Sequence, residues 1–579
     1  MARKVTADRR LVVVAVFLLS GLLIVSGKLV FLQIIQAGKF QKLADQQRDE
    51  VITVSPRRGT IFDREGEVLA ISEDVTSVVA TPYLVKNKDD AARKISQALG
   101  IDQGEVRKEL GEKSGFVYIA RKADTAKANK VKKLKIDGIS FIDESKRFYP
   151  MGKLASQVLG IVDVDNKGQA GLELYYQKVL GGKPGKVMME KDATGNPIPG
   201  TEKVEAIAAD GSDVQVTLDK DIQSCVEASL QKAMDLYGPK AATAIVMDPN
   251  TGDILAMASN PTFDPNNRAD VDPASMRNRA VTDQYEPGSA MKVVTASAAL
   301  EEKVVEPQTV LTVPTSLKVA DSTFKDAEPK PTRQLTFMQI IGESSNVGTI
   351  EVAKELGAER LDKYLSIFGM GHLTGIDFPG EVTGLVLPRA KWSGTSVATI
   401  AIGQGISVTP IQLACAVSAI ANGGRKVCPH FLKSKVTDTG MKDLGLGGVG
   451  EQILSSQTCA EMAGILMQVV TPTGTAPKAA VRYYSVAGKT GTAEKAVNGG
   501  GYGGGYMATF VGFAPAERPR LLAMVVLDEP SPIWGGETAA PTFSDIMTFS
   551  LQHLKIPPSW SQQTAPDNSG GAESPSPHD

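Results

Sequence analysis

Ser289 and Lys292 stand three positions apart in Glu286-Pro287-Gly288-Ser289-Ala290-Met291-Lys292, and the run that follows, Val293 to Leu300, is almost wholly apolar or small. Pro287 and Gly288 read as a loop closing into a helix start. Both side chains then share one helix face, one turn apart. An isolated ammonium is costly to bury, and an apolar site pushes its pKa down, which turns lysine into a neutral base. A serine hydroxyl becomes a nucleophile when such a base takes its proton. The pair predicts a Ser/Lys acyl-transfer centre. Ser344 and Asn346, within Glu343-Ser344-Ser345-Asn346-Val347-Gly348, follow a helical stretch from Thr336 to Ile341. They supply a second hydroxyl for relaying a proton and an amide for orienting a substrate. Lys489-Thr490-Gly491-Thr492 adds an ammonium and two hydroxyls, a site for a carboxylate. Gly491 there would let a ligand backbone lie close against an edge strand.

Each motif alone has a structural explanation: a rim lysine beside a surface serine, a helix cap, or an exposed strand with ordinary polar residues. Their joint occurrence needs a scaffold that brings three distant segments together. Val214 to Leu218 opens a new regime, followed by a helix over Asp221 to Leu236. Ala241 to Met247 and Ile254 to Ala258 are apolar strands around Asp248-Pro249-Asn250-Thr251-Gly252-Asp253, a hairpin turn. Tyr484 to Gly488, Met507 to Ala514 and Leu521 to Leu527 are three more strand candidates. Short connections favour an antiparallel sheet, with helices between the hairpin and the later strands packed on it. This predicts an α+β domain over residues 214–556.

Upstream, residues 36–213 predict a mixed α/β module. Val51 to Val54 reads as a strand, and Arg57 to Ala70 as two strands around a turn at Asp63–Gly66. Asp89 to Gly111 and Lys122 to Leu134 read as amphipathic helices. Gly181-Gly182-Lys183-Pro184-Gly185 is a loop and not a phosphate cradle. Residues 557–579, rich in Ser, Pro and Gly, bury too little apolar surface to order themselves.

The N-terminus bears on compartment. Arg3, Lys4, Arg9 and Arg10 precede an uncharged run from Leu11 to Gly27, and after Lys28 the chain continues apolar to Ile35. That suffices to span a bilayer, with Lys28 snorkelling to the interface. Residues 1–10 then form a cytoplasmic tail, and 11–35 a transmembrane anchor placing the rest outside the cytoplasm. No small-x-small site closes the run as in a cleaved signal peptide. With 63 Lys and Arg against 65 Asp and Glu, the net charge of −2 gives no pull towards nucleic acid. Cys225, Cys415, Cys428 and Cys459 are too few for a disulfide scaffold, and with scattered histidines they offer no metal cluster. Four core thiols, or a Cys428–Cys459 bridge, remain the alternatives. No metal or cofactor is called for.

Ser-x-x-Lys, Ser-x-Asn and Lys-Thr-Gly in this order resemble the penicillin-recognising acyl-serine enzymes. The anchor, Arg58-Gly59-Thr60-Ile61-Phe62-Asp63-Arg64-Glu65-Gly66, Arg147-Phe148-Tyr149-Pro150, the stretch from Gly168 to Tyr175 and the Asp248–Pro261 segment resemble class B penicillin-binding proteins, with Glu343 to Gly348 most like the division-type, FtsI-like branch. The resemblance spans roughly residues 10 to 555 and implies the penicillin-binding fold on an elongated dimerisation-type pedestal. No stretch before the pedestal has room for a glycosyltransferase domain, and no C-terminal extension is long enough for PASTA repeats. The implied activity is a peptidoglycan D,D-transpeptidase, in a division, elongation or sporulation role. A β-lactamase, a D,D-carboxypeptidase, and a membrane-anchored scaffold or β-lactam sensor are the competing readings. By resemblance, Ser289 attacks the penultimate D-Ala carbonyl of a stem peptide, Lys292 is the acylation base, and Ser344 relays the proton to the leaving D-Ala. Asn346 holds the substrate amide, and Lys489, Thr490 and Thr492 receive the terminal carboxylate. The N–H groups of Ser289 and Thr492 form an oxyanion hole, and β-lactams block Ser289. Implied partners are the membrane, a SEDS-type, FtsW-like glycan polymerase and divisome proteins.

Overall fold

A computed structural model describes residues 2–190, 201, 203–267, 271–437, 440–443, 448–497 and 501–559. The chain divides into two units. The smaller comprises residues 1–57, 73–146 and 182–211, and the larger comprises 58–72, 147–181 and 212–579.

In the smaller unit, helix α1 (Ala2–Val30) runs into a π-helical turn at Phe31–Ile35. Its Arg9–Ile35 stretch of 27 residues is long and apolar enough to cross a membrane, with none of it buried in the protein. At about 1.5 Å per residue such a helix exceeds the roughly 30 Å hydrocarbon layer. Strand β1 (Asp49–Val54) pairs antiparallel with Gly185–Glu190. The helix expected over Asp89–Gly111 is in fact two, α2 (Lys88–Leu99) and α3 (Gln103–Gly111). Gly100 ends α2 in the left-handed region (φ 74°), and the Asp102 carboxylate caps α3 by accepting from the Glu105 N–H. Strand β2 (Val117–Ala123) and helix α4 (Thr125–Lys133) follow. Ala92, Ile95 and Leu99 of α2 pack with Val106, Leu110, Val117, Ile119 and Val131 into a core belonging to this unit alone.

The larger unit collects pieces on both sides of the expected 213/214 boundary. Its buried Glu173 carboxylate takes both Arg58 and Arg147, the latter at 2.6 Å, and Arg147 Nη1 donates to the Gly59 carbonyl at 2.7 Å. An unpaired charge at that depth would be costly, so the segments carrying these three residues are held together. Helix α5 (Lys220–Tyr237) leads into strands β3 (Ala241–Met247) and β4 (Ile254–Asn260). Helix α6 (Lys292–Glu301) follows, then α7 (Phe337–Gly342), α8 (Asn346–Leu356), α9 (Pro410–Ala421) and α10 (Ser456–Gln468). The chain closes with β5 (Ala487–Ala496), β6 (Tyr502–Ala514), β7 (Leu521–Asp528) and helix α11 (Ala539–His553). The sheet has five antiparallel strands in the order β4-β3-β7-β6-β5, with β5 at the edge.

Helices cover both sheet faces. Ala244 and Val246 of β3 pack with Ile222 and Val226 of α5 and Phe543 of α11, whereas Ile245 and Met247 pack with the cluster containing α6, α9 and α10. Side chains alternate faces along a strand, so both sets must be apolar; β3 is therefore a continuous apolar run. Lys292 to Leu300 of α6 are buried without a break. The tail expected from 557 lies outside the described residues beyond Ser559. Ser559 itself is fastened, its N–H donating to the Tyr483 carbonyl at 3.0 Å.

Candidate active site

Three elements of the larger unit meet at one cleft of about 480 Å³, lined by Ser289, Ser344, Asn346, Thr490 and Thr492 among others. Ser289 lies in a 3₁₀ turn, Gly288–Met291, and the α-helix begins only at Lys292. Lys292 and Lys489 do not line the cleft; both are fully buried behind it.

Lys292 Nζ donates to the Ser344 carbonyl at 2.6 Å, to Asn346 Oδ1 at 2.7 Å and to Ser344 Oγ at 3.3 Å. The first two partners can only accept in this pose: Asn346 Nδ2 donates to the Lys325 carbonyl at 3.1 Å, which fixes which end of the amide faces Lys292. A neutral amine has two N–H groups and one lone pair. Those two acceptors use both N–H groups and leave the lone pair for a hydroxyl. Among the described residues no hydrogen bond joins Lys292 to Ser289; the amine is anchored from the Ser344–Asn346 side. Desolvation, reinforced by the Lys489 cation and opposed by Asp326, holds its pKa well below that of a free lysine.

Lys489 Nζ donates to Ser344 Oγ at 2.9 Å and to the Thr490 carbonyl and hydroxyl at 3.3 Å each. Its partners are all neutral, and burial pushes its pKa down to about 7. Ser344 Oγ thus lies between two amines. Ser344 itself has φ 58°, a left-handed backbone uncommon outside glycine.

The local fold explains why Ser344 and Asn346 are free to face the lysines. Helix α7 starts with a capping box between Thr336 and Gln339. The residue between the pair, Ser345, takes the capping role for α8: its Oγ accepts from the Gly348 N–H at 3.0 Å. Ser345 Oγ also donates to Asp326, whose carboxylate accepts the Val347 N–H at 3.0 Å. The simple helix-cap explanation therefore belongs to Ser345. Asp326 and Lys325, which clamp this turn, were missed from sequence because they sit in a loop with no periodicity.

On β5, Lys489–Thr492 lies inside the strand and does not end one: the strand starts at Ala487, three residues later than the candidate Tyr484–Gly488. A Cβ at Gly491 would come 2.8 Å from the Pro287 carbonyl and 3.5 Å from Ala290 Cβ, so its bareness lets the turn that carries Ser289 pack on the strand. Thr490 Oγ1 lies 3.0 Å from Thr475 Oγ1, and Thr492 Oγ1 accepts from the Gly535 N–H at 3.2 Å. All four cysteines are free thiols.

Residues 242–548 match the penicillin binding protein transpeptidase domain, and 53–216 the penicillin-binding protein dimerisation domain. The chain belongs to the penicillin-binding protein transpeptidase family. It is 34% identical to stage V sporulation protein D of Bacillus subtilis, over 96% of this chain and 87% of that one. It is 32% identical to peptidoglycan D,D-transpeptidase FtsI of Escherichia coli, over 93% and 91%. Among solved structures, penicillin binding protein 3 of Mycobacterium tuberculosis, complexed with aztreonam, is similar with a TM-score of 0.69, 32% identity and coverage of 88% and 98%.

Proposed function

We infer that this chain is a serine-type peptidoglycan D,D-transpeptidase. Family membership and the buried Lys292, one turn after Ser289 and bonded to Ser344 and Asn346, carry the reading. Neutral Lys292 takes the proton of Ser289 Oγ as that oxygen attacks the penultimate D-Ala carbonyl of a stem peptide. Ser344 Oγ, between the two amines, passes a proton to the leaving D-Ala. Asn346 orients the substrate amide. Thr490 and Thr492 receive the terminal carboxylate, with the charge of Lys489 behind them. The Ser289 and Thr492 N–H groups stabilise the oxyanion, an element worth about 3–4 kcal/mol per donor. The acyl group then passes to an amine of a second stem peptide. β-lactams enter the same path and remain on Ser289.

The apolar α1 helix anchors the enzyme in the membrane as a single pass with the catalytic unit extracytoplasmic. There it would work beside an FtsW-like polymerase and divisome proteins in septal wall synthesis, the assignment that Glu343–Gly348 favours; the relatives include a sporulation protein as well. The test is labelling with a fluorescent penicillin, wild type against Ser289→Ala, followed by mapping of the modified peptide. Stoichiometric, slowly reversed labelling of the Ser289 peptide, absent in the variant, is expected. Rapid penicillin turnover would make it a β-lactamase, and unchanged labelling of Ser289→Ala would remove the reading.

A further inference from the structure

Ser289 and Thr492, whose N–H groups stabilise the oxyanion in the proposed reaction, belong to different elements: the 3₁₀ turn and β5. β5 is an edge strand, so its ladder fixes it to β6 on one side only. Among the described residues no backbone hydrogen bond joins segment 285–291 to β5. Bare glycines let the two lie close. A Cβ on Gly288 would come 3.1 Å from the Thr492 carbonyl, and one on Gly491 2.8 Å from the Pro287 carbonyl. Such contacts limit approach and do nothing against separation, so holding the gap needs a bond across it.

On its other flank segment 285–288 is pinned to segment 403–408. Tyr285 and Val408 exchange backbone hydrogen bonds at 3.0 and 2.9 Å, and the Gly288 N–H donates to the Gly403 carbonyl at 3.1 Å. Towards β5 and β6, side chains make the connection. One bond is long: Thr509 Oγ1 donates to the Tyr285 hydroxyl at 3.5 Å. The other runs through Glu286, three residues before Ser289. Its carboxylate accepts the Gly405 N–H at 2.9 Å and the Tyr502 hydroxyl at 3.1 Å. Hydrogen bonds to an ionised acceptor are stronger than neutral ones. Tyr502 opens β6 and pairs with Ala496, four residues beyond Thr492 on β5. Gly501 and Gly503 flank it and bring no side chains to fix it. Burial, then the charges of Glu286 and Glu494, push the Tyr502 hydroxyl up to about 12, so it remains a donor below that pH.

We propose that Glu286 is a positioning residue for acylation: by bridging the Gly405 N–H and the Tyr502 hydroxyl, it holds the turn of Ser289 at a fixed distance from β5 and keeps the Ser289 and Thr492 N–H groups aimed at one oxygen. It acts through the two elements it joins and not through the substrate. The proposal rests on the transpeptidase reading. Oxyanion donors work only within a narrow distance of the transition-state oxygen, and a misplacement of about 1 Å costs on the order of 10²-fold in rate.

The experiment uses the full chain in detergent and a fluorescent penicillin varied up to saturation, which separates the Kd of the non-covalent complex from the acylation rate constant. Wild type is compared with Glu286→Ala, Glu286→Gln, Tyr502→Phe and the Glu286→Ala/Tyr502→Phe double variant, and Tm is measured for each. Gln keeps an acceptor for Gly405 and a partner for Tyr502 without the charge. Glu286→Ala should lower the rate constant roughly tenfold to a hundredfold with Kd within about twofold, and Tyr502→Phe roughly threefold to tenfold. The double variant should be no slower than Glu286→Ala, because both changes cut one bridge. Gln should bring the rate back to within about threefold of wild type. A Gln variant as slow as Ala, a Tyr502→Phe enzyme at the wild-type rate, or a loss that falls on Kd and not on the rate constant would overturn the proposal. Should Glu286→Ala have no folding transition, Tyr502→Phe, at a half-exposed side chain, decides by itself. Absence of penicillin acylation in wild type would instead overturn the transpeptidase reading beneath it.

Discussion

The start of helix α6 and the edge strand β5 each bury a lysine completely, and each aims it at Ser344 Oγ. Their surroundings then separate them. Lys292 has two partners that can only accept, lies beside the charge of Lys489, and has its pKa held well below the ordinary lysine value. Lys489 has only neutral partners and is lowered by desolvation alone, to about 7. Two like charges this close titrate as a pair, and the group under the larger combined penalty yields its proton first. In the proposed mechanism one residue type thus supplies both the base and the amine that supports it, with the lower pKa on Lys292 favouring it as the base. The lesson is that position in the fold assigns the role of each lysine, while the side chain alone does not.

The contrast can be broken most severely at Lys292. Lys292→Met removes the base, and the rate of penicillin acylation should fall on the order of 10²–10⁴-fold. A fall of less than about tenfold, followed by fluorescent labelling over time, would end the assignment of Lys292 as base. Lys489→Met should act next in size, about 10²-fold on acylation, through lost electrostatic stabilisation.

The Lys489 variant also sharpens the comparison through stability. The pKa of Lys489 is about 7 in the folded chain against 10.5 for the free side chain. Between those values the unfolded chain binds more protons, so stability rises with pH across the window, and the burial penalty is full below it. Lys489→Met lacks this rise. Its Tm relative to wild type should therefore be most favourable near pH 7 and decline towards pH 10; a difference constant with pH would contradict the lowered pKa.

Asp326→Ala is the smallest of these changes. It leaves the Ser345 hydroxyl and the Val347 N–H without their acceptor, a loss of about 1–3 kcal/mol in stability if they stay dry. Asp326 raises the pKa of Lys292, so its removal should move the acid limb of the acylation–pH profile to lower pH. A shift to higher pH would show that Asp326 acts only through the geometry of the turn.

Much of the catalytic unit was legible from residue pattern. The apolar runs Ala241–Met247 and Leu521–Leu527 are strands, and Lys292 stood out because an ionisable group in an apolar helix demands a reason. Boundaries were less legible where single residues break an element. Gly100 and Asp102 split one expected helix because a left-handed cap and a new N-cap outweigh continuing amphipathic spacing. Gly491 was read as room for a ligand at an edge strand, and its spacing could not show that the Pro287 carbonyl packs against it. Asp326 and Lys325 gave no local signal, because what they do depends on partners 19 to 21 positions away, beyond the reach of helix or strand spacing.

By itself the sequence determined the chemistry available: a serine and a lysine three positions apart, a second serine with an asparagine, and a lysine followed by two threonines. Only the tertiary structure decided that Ser345 caps α8 while Ser344 and Asn346 receive Lys292, and that both lysines lie out of water. Local propensity acts over a few residues. The pKa of a buried amine is set by the dielectric and charges within a few ångströms, and here those come from segments separated by up to two hundred positions in the chain.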